Sequence, residues 1–99
     1  MTFTSWDLFA SPNVKKVDNV MGVYELSNSE TDTSKMVYIG YGELRADLEK
    51  CLDDSYLSSS IYFRYEKMDS EEKAEYRQMD LLLDFMEKYR CLLEYHKAL

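Results

Sequence analysis

Between Val20 and Leu26 the chain reads VMGVYEL, a run of β-branched, aromatic and aliphatic residues that predicts a strand. The next nine residues, Ser27 to Lys35, are polar and turn-forming. MVYIG, Met36 to Gly40, predicts a second strand, so the two form an antiparallel hairpin. After Gly40 and Gly42 the period changes: Leu44, Leu48, Cys51 and Leu52 recur at the spacing of one helical face. Asp53 to Ser60 reads as a loop. In SIYFRYEK, Ile61, Phe63 and Tyr65 alternate with Tyr62, Arg64 and Glu66, which predicts a third strand with both faces partly covered. Asp69 and Glu72 then resemble a capping box, and a helix is expected to run to about Arg90. Its apolar positions, Tyr76, Met79, Leu81, Leu82, Leu83, Phe85 and Met86, make a broad stripe that suggests the sheet on one side and another helix on the other; Met79 and Met86 read as core filling. CLLEYHKAL predicts a terminal segment tucked back by Leu92, Leu93 and Tyr95.

The order is β-β-α-β-α, an α+β class with a small three-stranded antiparallel sheet flanked by helices. The expected organisation is a single domain over 1–99, with a lead-in over 1–19, helical or irregular, and a core over 20–95. A chain of 99 residues buries roughly 60–65% of its unfolded surface, enough for one core. Three glycines and one proline point to regular elements rather than long loops.

The net charge of −7, with acids in excess in both halves, weighs against tight nucleic-acid binding, which needs cations to neutralise phosphates. A basic cleft would have to be assembled from Lys15, Lys16, Lys35, Arg45, Arg64 and Lys67. No apolar run approaches the roughly 20 residues that cross a bilayer, and the N-terminal residues lack the basic start and apolar stretch of a secretory signal; the expected location is cytoplasmic. Cys51 and Cys91 read as two thiols rather than a disulfide. The lone His96 leaves a structural zinc site short of ligands.

GVY at Gly22–Tyr24 and YIG at Tyr38–Gly40, on consecutive strands followed by a helix, a strand and a longer helix, resemble the GIY-YIG nuclease domain. LLLDFMEKYRCLLEYHK is also similar to the closing segment of that family, with Leu93 where a proline stands. The resemblance implies one-metal phosphodiester hydrolysis. A hairpin tyrosine, Tyr24 or Tyr38, would assist the nucleophile. An arginine on the first helix would steady the phosphate. A glutamate on the later helix would hold a divalent metal.

Carried onto this chain, the arginine position holds Asp47, which replaces a cation by an anion. A histidine of some members falls at Cys51. The glutamate position falls at Gln78, a poor ligand for a hard cation, or, with a two-residue shift, at Asp80. Arg45 is the substitute cation on the same helix, about 200° away from Asp47. Gly22, Gly40 and Tyr41 are the expected binding positions, Tyr41 exposed near the cleft. Tyr24 and Tyr38 also fit a purely packed role.

The expected function is a GIY-YIG-like domain with weak or no nuclease activity, a small binding or regulatory module that takes a protein partner or self-associates. The alternatives are a divergent endonuclease using Arg45, Asp80 and Mg²⁺ or Mn²⁺, and a non-catalytic nucleic-acid binder. No cofactor is expected outside the endonuclease reading.

Overall fold

A computed structural model describes residues 2–91 and 93. Four strands, β1 (Asp7–Leu8), β2 (Met21–Ser27), β3 (Met36–Glu43) and β4 (Tyr62–Lys67), form one antiparallel sheet in the order β1-β4-β2-β3. Three helices flank it: α1 (Ser11–Val14), α2 (Leu44–Asp53) and α3 (Glu71–Tyr89). From β2 onward the succession strand, strand, helix, strand, helix follows the periodicity of the sequence. The three-stranded sheet does not. Asp7 and Leu8, in the lead-in expected to be helical or irregular, pair with Phe63 and Tyr62 and add a fourth strand. The same arm is tied to the sheet at Thr4, whose amide donates to the Tyr65 carbonyl at 2.9 Å, and at Phe9, whose amide donates to the Ile61 carbonyl at 2.9 Å.

Side-chain alternation divides the core. Tyr24 and Leu26 of β2, with Phe63 of β4, face α1 and α2, and pack with Val14, Leu44, Leu48 and Cys51. Val23 and Ile39 face α3, where Leu81, Leu82, Phe85 and the buried Leu93 cover them. A register shift between Leu26 and Ser27 takes up Val37, so Tyr38 stands opposite Leu26 and Gly40 opposite Tyr24. Tyr38, Gly40 and Tyr24 therefore share the α2 face.

The two glycines do not end β3. The strand continues through them to Glu43, and α2 begins at the next residue. With no loop to supply a cap, α2 is capped from a distance: Asn19 Oδ1 accepts from the Ala46 amide at 3.0 Å, and the Val20 carbonyl accepts from the Leu44 amide at 2.9 Å.

For α3 the N-cap is Ser70, whose Oγ accepts from the Lys73 amide at 3.2 Å, and not Asp69. Glu71 and Glu72 follow in the first turn, favourable at the positive end of the helix dipole. The helix closes at Arg90 in the left-handed region (φ 58°), with its amide on the Met86 carbonyl. The broad apolar stripe splits: Leu81, Leu82 and Phe85 meet the sheet, but Tyr76, Met79, Leu83 and Met86 are exposed. Met79 and Met86 thus do not fill the core, because among the described residues no second helix lies against that side of α3. The expected packing of Leu92 and Tyr95, and His96, lie outside the described residues. Both thiols are free, Cys51 buried and Cys91 exposed.

Candidate functional site

Tyr24 is held by the strand directly opposite Gly40, and its ring lies across that glycine. A Cβ on Gly40 would stand 2.5 Å from Tyr24 Cζ and Oη and 2.7 Å from Tyr38 Cε2. The missing side chain at Gly40 therefore makes the space that the two rings occupy, with centroids 6.0 Å apart. The Tyr24 hydroxyl reaches α2, where it donates to Asp47 Oδ2 at 3.3 Å and contacts Cys51 Sγ at 3.6 Å. A phenol carries one proton. With that proton on Asp47, the thiol donates to Tyr24 Oη, and a relay Cys51–Tyr24–Asp47 results.

Gly42 completes the seat. Its φ of +148° is open to glycine and strained for other residues, and a Cβ there would stand 2.7 Å from Asp47 Oδ2. Gly22 lies opposite Gly42, beneath Leu44. Tyr24, Tyr38, Asp47 and Cys51, with Lys50, Asp54 and Leu57, line an open cleft of about 210 Å³.

The electrostatics keep the cluster protonated at the phenol and thiol. Burial, with Cys51, Tyr38 and Asp47 close by, pushes Tyr24 far above the ordinary tyrosine range. Burial raises the Cys51 thiol to about 11, with the hydrogen-bond contact between Cys51 and Tyr24 acting in the other direction. Burial also raises Asp47, opposed by the Tyr24 hydrogen bond and by Lys50. A depressed pKa is one route to a reactive thiol or phenol, and neither Cys51 nor Tyr24 has one.

The other expected residues lie elsewhere. Gln78 is on α3, across the sheet, and its Nε2 donates to the Ile39 carbonyl at 2.9 Å. Asp80 is exposed on the same helix. Tyr41 faces α3 and donates to Glu75 Oε2 at 2.8 Å, on the opposite side of the sheet from the cleft. Arg45 is exposed on α2 and its charge acts on Asp18. Arg45 and Asp80 thus belong to helices on opposite faces of the sheet and do not converge. Among the described residues no three His, Cys, Asp or Glu side chains form a group able to hold a metal. Gln78 spends its amide on a carbonyl, and the thiol beside Asp47 is held protonated, so the donor set does not fit a hard divalent cation.

The candidate basic residues are dispersed as well. Lys67 pairs with Asp18 at 2.8 Å, and Arg64 Nε donates to the buried Glu25 at 2.6 Å. That second pair belongs to a polar layer beneath α3 that the residue pattern did not suggest. Arg77 Nε donates to the buried Glu66 at 3.0 Å, and Phe3 and Trp6 cover Arg64 at 4.6 and 4.3 Å from the ring centroids. The available signal was Glu25 and Glu66, acids placed inside apolar strands, each requiring a partner if buried.

A four-stranded antiparallel sheet between two helical layers, with a tyrosine and a carboxylate facing each other over a glycine, defines an α+β domain with a preformed cleft. The chain belongs to the family described as Domain of unknown function (DUF7508), which matches residues 2–88. No curated protein and no solved structure matches it. Among the described residues no helix is long and apolar enough to cross a membrane.

Proposed function

We propose that this chain is a GIY-YIG-like domain with weak or no nuclease activity, acting as a small cytoplasmic binding or regulatory module for a protein partner or for another copy of itself. The observation that carries the reading is the Asp47 carboxylate, turned onto the Tyr24 hydroxyl in the cleft. In the resemblance this position belongs to an arginine that meets a phosphate. A phosphodiester entering here would meet Asp47 and Asp54 against the single lysine of the lining, Lys50, and the tyrosine proton is already engaged. Placing an anion beside an anion in a partly buried site inverts the stabilisation that phosphodiester hydrolysis requires.

The test is a cleavage assay of the purified protein on labelled single-stranded, duplex and branched DNAs with Mg²⁺ or Mn²⁺ and a chelator control. The expected result is no chelator-sensitive product on any substrate. Cleavage that is lost in Tyr38→Phe would overturn the proposal and return the hairpin tyrosines to catalysis.

A further inference from the structure

On the face of α3 turned away from the sheet, Tyr76, Met79, Leu83 and Met86 remain 59, 48, 58 and 39% exposed. Their spacing of three, four and three residues is that of a two-stranded helical seam. Four large apolar residues in one line on an otherwise strongly charged helix form a contiguous patch of the kind that marks an interaction site. The next positions of the same line are charged and opposite in sign: Glu72 in the first turn and Arg90 at the C-cap.

We propose that this face is the interface of a homodimer in which two α3 helices pack antiparallel about a dyad at the level of Leu81. The inference is independent of the reading of the cleft. The arrangement is self-complementary, as a two-fold interface requires. Tyr76 meets the partner's Met86, and Met79 meets the partner's Leu83. Glu72 meets the partner's Arg90, and by symmetry the same pair recurs at the other end. On the flank, Lys73 faces the partner's Glu87. Antiparallel helices also set opposite dipole ends together. A parallel arrangement would place Glu72 against Glu72 of the partner subunit and Arg90 against Arg90 of the partner subunit, which charge disfavours. The central cost of the antiparallel form is Asp80, which approaches its own symmetry mate near the dyad. A helix of 19 residues is about 28 Å long, so the interface is at the small end of the range for specific complexes. The expected dissociation constant is therefore micromolar or weaker.

The test is sedimentation equilibrium of the full chain from about 5 µM to about 1 mM, with circular dichroism as the check on folding. The expected result is a monomer–dimer equilibrium. Leu83→Lys, at an exposed position that leaves the fold intact, weakens it at least about tenfold. Glu72→Arg weakens it several-fold up to about tenfold, and Glu72→Arg with Arg90→Glu restores it to within about threefold. A monomer throughout the range overturns the proposal, as does a dimer indifferent to Leu83→Lys. A monomer whose unfolding midpoint falls in Leu83→Lys also overturns it, because the chain then covers its own stripe. A dimer sensitive to Leu83→Lys but indifferent to Glu72→Arg overturns the antiparallel arrangement.

Discussion

The Tyr24 hydroxyl donates to Asp47 Oδ2 at 3.3 Å across the junction between β2 and α2. Tyr24→Phe keeps the ring between Gly40 and Tyr38 and removes only this donor and the contact with Cys51. Loss of one partly buried hydrogen bond costs about 1 kcal/mol. Urea unfolding should show that loss with an unchanged slope, since the surface exposed on unfolding does not change.

Gly40 and Tyr24 should be strongly coupled. Gly40→Ala places a methyl group where the phenol lies, and overpacking of this kind costs about 1–3 kcal/mol. Tyr24→Leu lacks the Cζ and Oη atoms that collide. In a double-mutant cycle, Gly40→Ala should cost at least about 0.5 kcal/mol less in the Tyr24→Leu background, the remainder coming from Tyr38 Cε2, 2.7 Å from the added Cβ. Additive effects would mean that the ring and the strand do not compete for that space.

Asp47 gives the protein a pH signature. Its folded-state pKa is raised, chiefly by burial, so the folded protein holds this proton where the unfolded chain has released it. The stability it contributes is complete below the unfolded value and is lost as pH rises through the folded one. Asp47→Asn removes the effect. Chemical unfolding of both proteins at about pH 7 and about pH 4.5 should show wild type gaining on Asp47→Asn as the pH falls. Asp18 and Asp32, whose pKa values are lowered by Lys67 and by Ser34 respectively, shift stability the other way in both proteins and cancel in the comparison.

The two thiols should separate by reactivity. Cys91 is exposed and Cys51 is buried with its pKa raised to about 11. At about pH 8, iodoacetamide should label Cys51 at least about tenfold more slowly than Cys91, since the thiolate is the reacting form. Peptide mass mapping over time measures both rates, and equal labelling would place Cys51 at the surface.

Arg77 neutralises Glu66 beneath α3. Arg77→Ala leaves a buried carboxylate alone and should cost about 3 kcal/mol. Adding Glu66→Gln should recover part of that loss, measured by the shift in unfolding midpoint, because the uncompensated charge is gone.

Periodicity in the sequence carried β2, β3, α2, β4 and α3, since each is long enough to repeat its apolar spacing. It could not carry β1. Two residues have no period, and what makes Asp7 and Leu8 a strand is the free edge of β4, far along the chain. Continuation of β3 through Gly40 and Gly42 was hidden for a related reason. Glycines ordinarily interrupt a strand, but here they stay in it because the Tyr24 ring and the Asp47 carboxylate need the room their side chains would take. Apolar residues on α3 were legible as a stripe, but periodicity alone did not say which part would meet the sheet. The counting that put Asp47 on α2 in the register of the resemblance could not show Gln78 and Tyr41 on the other face of the sheet, because that depends on which side of the sheet α3 crosses.

The N-terminal arm carries a consequence for how the chain assembles. Thr4 is bonded to Tyr65, 61 residues further on, so the arm can dock only once β4 is in place. Closing so long a loop carries an entropy cost that the docked contacts must offset. Until the arm docks, the outer edge of β4 is an open template for another chain. Docked, the arm covers that edge, and a shortened protein beginning at Val20 would lose this cover together with Phe9, Val14 and Val17 of the core and the Asn19 cap of α2.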